Sequence, residues 1–166
     1  MKILANKPFP EKYRKQYDEV FKDESPLFII TGDMTAEKTY GESALCFTKT
    51  RIVAFDSSFE GSVRSVDYAT LEKAKVKRMY GNATFDLYPE NGKRIVMMRL
   101  SFAAANIADA GADFINGLIK DGYSDELFYA VENTFLKQRS FCPKCGRKLP
   151  SPDADCINCK GKGKMF

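Results

Sequence analysis

Four cysteines near the C-terminus, Cys142, Cys145, Cys156 and Cys159, constrain this chain more than any other feature. They form two C-x-x-C pairs separated by ten residues. A segment of about thirty residues cannot bury enough apolar surface to fold on its own core, so it needs a covalent or metal staple. A two-residue spacer turns the chain tightly enough for both sulfurs to meet one tetrahedral ion, and thiolates are the soft ligands that zinc takes at about 2.3 Å. In the first pair, Pro143 presets the turn and Gly146 permits a positive φ. The second pair, Cys156-Ile157-Asn158-Cys159, has no proline. Disulfides would suit a secreted chain, but the first ten residues show no apolar run or cleavage pattern of an export signal. A redox C-x-x-C belongs in a βαβ pattern, which is not seen here, and unmetallated thiols leave the paired spacing without a purpose. Zinc is therefore the expected cofactor. Four protein ligands close its coordination shell, so the expected role is structural and not catalytic.

Ahead of that segment the period of the pattern changes twice. Between positions 10 and 23, Tyr13, Tyr17, Val20 and Phe21 recur at helical spacing behind a proline, which predicts an amphipathic helix. Seven short β-prone runs follow, at 27–31, 41–48, 51–57, 62–67, 74–80, 83–88 and 94–102. The clearest alternation sets Ala83, Phe85 and Leu87 against Thr84, Asp86 and Tyr88; Val96, Met98, Leu100 and Phe102 are expected on one face of the last run. Gly81-Asn82 and Pro89-Glu90-Asn91-Gly92 supply turns, so the runs should pair as an antiparallel meander. From 103 to 121 the period becomes helical, with Ile107, Ala110, Phe114 and Leu118 inward and Asn106, Asp109, Asp113, Asn116 and Lys120 wet. The small residues Ala104, Ala108, Gly111 and Ala112 would admit close packing on a sheet, and Gly122 suits the C-cap. Ser124 can cap a second helix to about 138, with Leu127, Phe128, Val131 and Phe135 inward, which would carry the cysteine segment away. The expected fold class is α+β: a seven-stranded antiparallel barrel, similar to pleckstrin-homology-like domains, with a C-terminal capping helix, a further helix and a zinc ribbon. The corresponding division is an N-terminal helix in 1–24, the barrel and its helix in 25–122, a linking helix in 123–140, and the ribbon with a basic tail in 141–166.

Histidine is absent from all 166 residues. That removes imidazole acid–base chemistry and Ser-His or Cys-His nucleophiles. No residue is assigned a catalytic role, and no Walker motif occurs. Gly161-Lys162-Gly163-Lys164 lacks the required glycine offset and the following Ser/Thr, and suits a flexible basic linker. No window reaches the roughly 18 apolar residues of a membrane span, so a soluble chain is expected. The net charge of +4 is uneven: residues 137–166 hold eight cations against Asp153 and Asp155, leaving the rest at −2. The basic character thus belongs to the tail, and nucleic acid is disfavoured as a partner of the main domain. Asp33, Glu37 and Glu42 lie around the loop after the first strand, where solvated loop carboxylates are the simpler account of them. Lys73, Lys75, Lys77 and Arg78 form a basic strand that could meet a lipid headgroup, although lysines guarding an exposed strand against edge pairing account for it more simply. Tyr13 and Tyr17 are expected to pack, and Cys46, inside Ala44-Leu45-Cys46-Phe47, to be a small buried hydrophobe.

The run Phe141-Cys142-Pro143-Lys144-Cys145-Gly146-Arg147-Lys148-Leu149-Pro150, then Cys156-Ile157-Asn158-Cys159 and the ending Lys164-Met165-Phe166, resembles a segment of certain bacterial ATP-binding cassette exporters. In that family a pleckstrin-homology-like domain and a zinc ribbon precede the first membrane helix. The resemblance implies a non-catalytic, cytoplasmic regulatory or assembly module. Its partners would be the transporter's membrane and nucleotide-binding domains or another protein. The basic tail would lie near anionic headgroups, each lysine contributing on the order of 1 kcal/mol. The alternative is a free-standing zinc-ribbon protein that binds nucleic acid or transcription machinery through its basic tail.

Overall fold

The computed structural model describes residues 3–138. It is a mixed α+β fold of two sheets and three helices. Strands β1 (Leu4–Ala5), β2 (Phe28–Met34), β3 (Tyr40–Phe47), β4 (Arg51–Asp56) and β5 (Val63–Asp67) form a five-stranded sheet in that order. Strands β6 (Leu71–Met79), β7 (Asn82–Pro89) and β8 (Ile95–Leu100) form a three-stranded one. All pairings are antiparallel except the short parallel β1–β2. Helices α1 (Arg14–Val20), α2 (Ala105–Asp121) and α3 (Asp125–Gln138) complete the fold. The seven runs of the meander are all strands, divided between two separately hydrogen-bonded sheets, and β1 is an eighth that the sequence pattern did not mark.

The five-stranded sheet is buried on both faces. Phe28, Ile30, Leu45, Phe47, Ile52 and Ala54 turn into the main core, where Phe28 stacks on Phe47 with ring centroids 4.3 Å apart. Ile29, Ala44, Cys46, Val53 and Phe55 turn the other way, into a second core closed by Phe9, Tyr13, Tyr17, Val20 and Phe21. Burial on both sides explains why β3 and β4 read as continuous apolar runs instead of alternating. Cys46 is fully buried there, and desolvation pushes its thiol well above the ordinary value. Tyr13 packs as expected, and its hydroxyl joins two strands, donating to the Glu42 carbonyl at 2.7 Å and accepting from the Ser57 N–H at 2.9 Å. The expected helix over 10–23 is shorter than its pattern: a 3-10 turn at Glu11–Tyr13 follows the extended Pro10, and only Arg14–Val20 is α-helical.

In the three-stranded sheet a bulge corrects the expected face of β8. Phe85 pairs with Met98 but Asp86 pairs with Val96, so Met97 is the extra residue. Met97 and Met98 are therefore both fully buried, Val96 lies on the opposite face from Met98, and Phe102, in a 3-10 turn past the strand, is half exposed.

Helix α2 closes the core through small residues. Ala108 is fully buried, and a Cβ on Gly111 would sit 2.8 Å from Phe47 Cζ. Gly122, at φ 80°, ends the helix, its N–H donating to the Leu118 carbonyl. Ser124 Oγ accepts from the Leu127 N–H and starts α3. The inward face expected of this helix is present, with Leu127 and Phe128 packed against the main core. Val131 and Phe135 are buried in the main core, and Phe135 meets Phe28 edge-on at 5.9 Å. Burying such side chains stabilises by roughly 1.5–3 kcal/mol each, enough to fold α3 back onto the domain.

Candidate functional site

The outer face of the three-stranded sheet is unlike every other face of the fold. Because Ala74, Val76, Ala83, Phe85, Leu87 and Met98 point into the core, their alternates must point away from it. Register places Lys73 opposite Tyr88, Lys75 opposite Asp86, Lys77 opposite Thr84, and Thr84 opposite Arg99. The three lysines are exposed, and among the described residues none forms a salt bridge. Lys73 Nζ lies 5.0 Å from the Tyr88 ring centroid. Arg99 is occupied elsewhere, donating to the Asn82 side chain at 2.7 Å and to the Ala36 carbonyl at 3.3 Å.

Beneath the lysines lie two buried polar side chains. Asp86 is fully buried and Thr84 is 2% exposed. Asp86 Oδ2 meets Arg94 Nη1 at 3.5 Å, at the limit of a hydrogen bond, while Asp86 Oδ1 and Thr84 Oγ1 have no hydrogen-bond partner among the described residues. A buried carboxylate with an unmatched oxygen is costly, because desolvation is offset only when its lone pairs are filled.

Asp56, the other fully buried carboxylate, has the opposite character. Its Oδ1 accepts from Ser58 N–H at 2.9 Å and Ser58 Oγ at 2.6 Å, and its Oδ2 accepts from Ala36 N–H at 2.9 Å. It ties the β2–β3 loop to the turn after β4 and is structural. Asp33, Glu37 and Glu42 are exposed. Of the basic strand, Arg78 is taken by Asp109 of α2, in a two-pronged pair at 3.1 and 2.6 Å. β6 is an edge strand, as its lysines suggested.

Two asparagines act as surrogate strand partners. The Asn116 amide on α2 accepts from the Ala74 N–H at 2.8 Å and donates to the Ala74 carbonyl at 2.9 Å, covering the open edge of β6. Asn6 accepts from the Thr31 N–H at 2.8 Å and donates to its carbonyl at 3.1 Å, continuing the β1–β2 pairing past the end of β1.

A groove of about 400 Å³ runs between Tyr68, Leu71, Leu118 and Ile119, with Lys49 and Glu90 at its sides. The Tyr68 hydroxyl donates to the Thr48 carbonyl, and burial, then the nearby Glu24 charge, push its phenol well above the ordinary value. Lys49 is turned onto the Tyr123 ring, 4.4 Å from its centroid. The Tyr68 hydroxyl and the Lys49 ammonium of the groove thus already have partners.

Among the described residues, no group of three or more Cys, Asp or Glu is disposed to hold a metal ion, and no helix is long and apolar enough to cross a membrane. Cys142, Cys145, Cys156 and Cys159 lie outside the described residues. The sequence pattern set Thr84 and Asp86 on the face opposite Ala83, Phe85 and Leu87, and nothing in alternation reports that both are buried. The Asp56-Ser57-Ser58 turn was open to detection, because Asp before Ser commonly bonds the backbone two residues on. No family model matches the chain, and no curated protein or solved structure matches it.

Proposed function

We propose that the chain is a non-catalytic cytoplasmic module, a pleckstrin-homology-like barrel followed by a structural zinc ribbon, that regulates or assembles an ATP-binding cassette exporter. The single observation that carries the reading is the pair of C-x-x-C motifs at a spacing suited to one zinc ion, set directly after a helix. The strand order supports the barrel: four antiparallel strands from β2 to β5, three from β6 to β8, then α2 laid against the core. In this reading Cys142, Cys145, Cys156 and Cys159 hold the ion, which supplies folding energy to a segment without a core of its own. The chain's own chemistry supports a binding role over catalysis. It has no histidine, its one cysteine among the described residues is sealed in the second core, and the buried Asp56 is spent on the Ala36 and Ser58 N–H groups and the Ser58 hydroxyl.

The test is expression from the native locus with a tag ahead of Met1, together with elemental analysis of the 166-residue chain. The expected results are a membrane-associated product much longer than 166 residues and one zinc per chain. A cytosolic product of 166 residues would refute the exporter assignment and favour the zinc-ribbon alternative; a metal-free chain with reduced cysteines and full stability would refute the ribbon.

A further inference from the structure

We propose that Asn91, in the connection between β7 and β8, is a site of spontaneous covalent modification that turns its side-chain amide into a carboxylate, while Asn116, in the chain's other Asn-Gly pair, is held inert by the fold. The inference is independent of any place in an exporter.

The chain contains two Asn-Gly pairs, Asn91-Gly92 and Asn116-Gly117. Such a pair is reactive because glycine has no Cβ to obstruct the approach of its own backbone nitrogen to the preceding side chain. The glycine nitrogen attacks the asparagine Cγ and a C–N bond forms. The side-chain nitrogen leaves as ammonia, carrying the proton that the glycine nitrogen loses, and a five-membered succinimide remains. Water then opens the ring at one of its two C–N bonds, giving aspartate or isoaspartate, so one water is consumed and one ammonia released. No oxidant, metal or second protein takes part. The rate depends on whether the backbone can leave helical angles to close the ring, and on whether the amide and the attacking nitrogen are free.

The two sites differ on every count. Asn91 and Gly92 are both exposed, within residues 90–94 between the two strands. No backbone carbonyl among the described residues accepts the Gly92 N–H, so the attacking nitrogen is not held, and a surface turn is where the chain moves most easily. Asn116 lies inside α2. Its amide oxygen accepts from the Ala74 N–H at 2.8 Å and its amide nitrogen donates to the Ala74 carbonyl at 2.9 Å. The Gly117 N–H belongs to the helical ladder, and the space beside Gly117 is filled, since a Cβ there would collide with Leu127. Conversion at position 91 also alters local charge. Glu90, Lys93 and Arg94 leave the connection with two cations against one anion, and a new carboxylate brings it to neutrality.

The test incubates the full 166-residue chain for weeks in mildly alkaline buffer, well below its unfolding temperature. Peptide mapping follows each Asn-Gly pair through the amide-to-acid mass gain, and a protein-isoaspartate methyltransferase labels the isoaspartyl product. Asn91 should convert at least about tenfold faster than Asn116, because reaction at Asn116 first requires two hydrogen bonds and a stretch of helix to open. In denaturing urea the two rates should come within about threefold of each other, since both pairs then react as open chain. Gly92→Ala should slow loss of the Asn91 amide at least about tenfold by restoring a Cβ beside the nitrogen. It should leave the melting midpoint in place, because Gly92 has no left-handed φ and the added Cβ would meet Pro89 Cβ at an ordinary 3.6 Å. Comparable rates at the two sites in the folded chain overturn the proposal. So does an Asn91 that outlasts its counterpart in a free peptide spanning Pro89–Ile95 by about tenfold or more, which would mean that the turn protects it. Indifference to Gly92→Ala overturns it as well, since the amide would then be lost by direct hydrolysis and not through Gly92.

Discussion

Replacing Asn116 by alanine tests whether one side chain on α2 completes the edge of β6. The Asn116 amide makes two hydrogen bonds, at 2.8 and 2.9 Å, to the N–H and C=O of Ala74, a residue only 3% exposed. Removing it leaves a buried donor and a buried acceptor unpaired, at a cost of about 1–3 kcal/mol each. Asn116 lies inside a helix, where alanine is favoured by about 0.6 kcal/mol, so the net loss should be about 1.5–5.5 kcal/mol. For a domain of this size that corresponds to a fall of roughly 5–20 °C in the melting midpoint. The matched control is Asn106→Ala on the exposed side of the same helix, which should gain the helix propensity and lose nothing. Urea titration of both variants by circular dichroism separates the two terms. If Asn116→Ala falls within about 0.5 kcal/mol of Asn106→Ala, the claim that a side-chain amide substitutes for a missing strand is wrong.

Gly111→Ala should destabilise despite its better helix propensity. The new methyl would meet Phe47, which is fully buried and stacked on Phe28, so overpacking of roughly 1–3 kcal/mol outweighs a gain of about 1 kcal/mol; a raised melting midpoint would contradict this. Cys46 should resist aromatic disulfide reagents in the native state and react only at the rate of unfolding, as a stopped-flow assay with and without urea would reveal. Burial raises the Cys46 thiol above its ordinary value of 9.0 and the Tyr68 phenol above 10.0. The unfolded chain therefore ionises first, and stability should be level below about pH 9 and decline as pH rises beyond it. Cys46→Ala should flatten the first part of that decline in chemical melts across pH 8–11. A strong chelator should release one zinc per chain and make the 141–166 segment protease-sensitive, with Cys156→Ser doing the same; unchanged digestion in both would argue against a shared ion.

Legibility in the sequence followed the strength of the local pattern. Ile107 and Phe114 fell on the buried face of α2 as their spacing required, because a long amphipathic helix beside a sheet has only one way to hide its apolar stripe. Gly122 and Ser124 were readable as stop and start signals because capping is local chemistry. The β8 bulge was not readable: Val96, Met97, Met98 and Leu100 are all apolar or nearly so, and where every position tolerates burial, alternation cannot tell which residue is the extra one. Strand β1 is two residues long and owes its existence to pairing with β2 and to Asn6, neither of which leaves a periodic trace. The outer face of the three-stranded sheet was half legible: the lysines of β6 stood out, but the full burial of Asp86 has no signature within β7 itself.

The second core changes where this molecule can be cut. The stretch before β2 looks dispensable by its polarity and by the shortness of its helix, yet Phe9, Tyr13, Tyr17 and Phe21, with Ile3 and Ala5, supply most of the apolar side chains packed on a patch of Ile29, Val53 and Phe55. A version trimmed to begin at the first long strand would keep its main interior and expose a greasy plate on its back, which is a route to clumping even while the remaining secondary structure survives. Whoever shortens this protein should leave its opening two dozen residues in place.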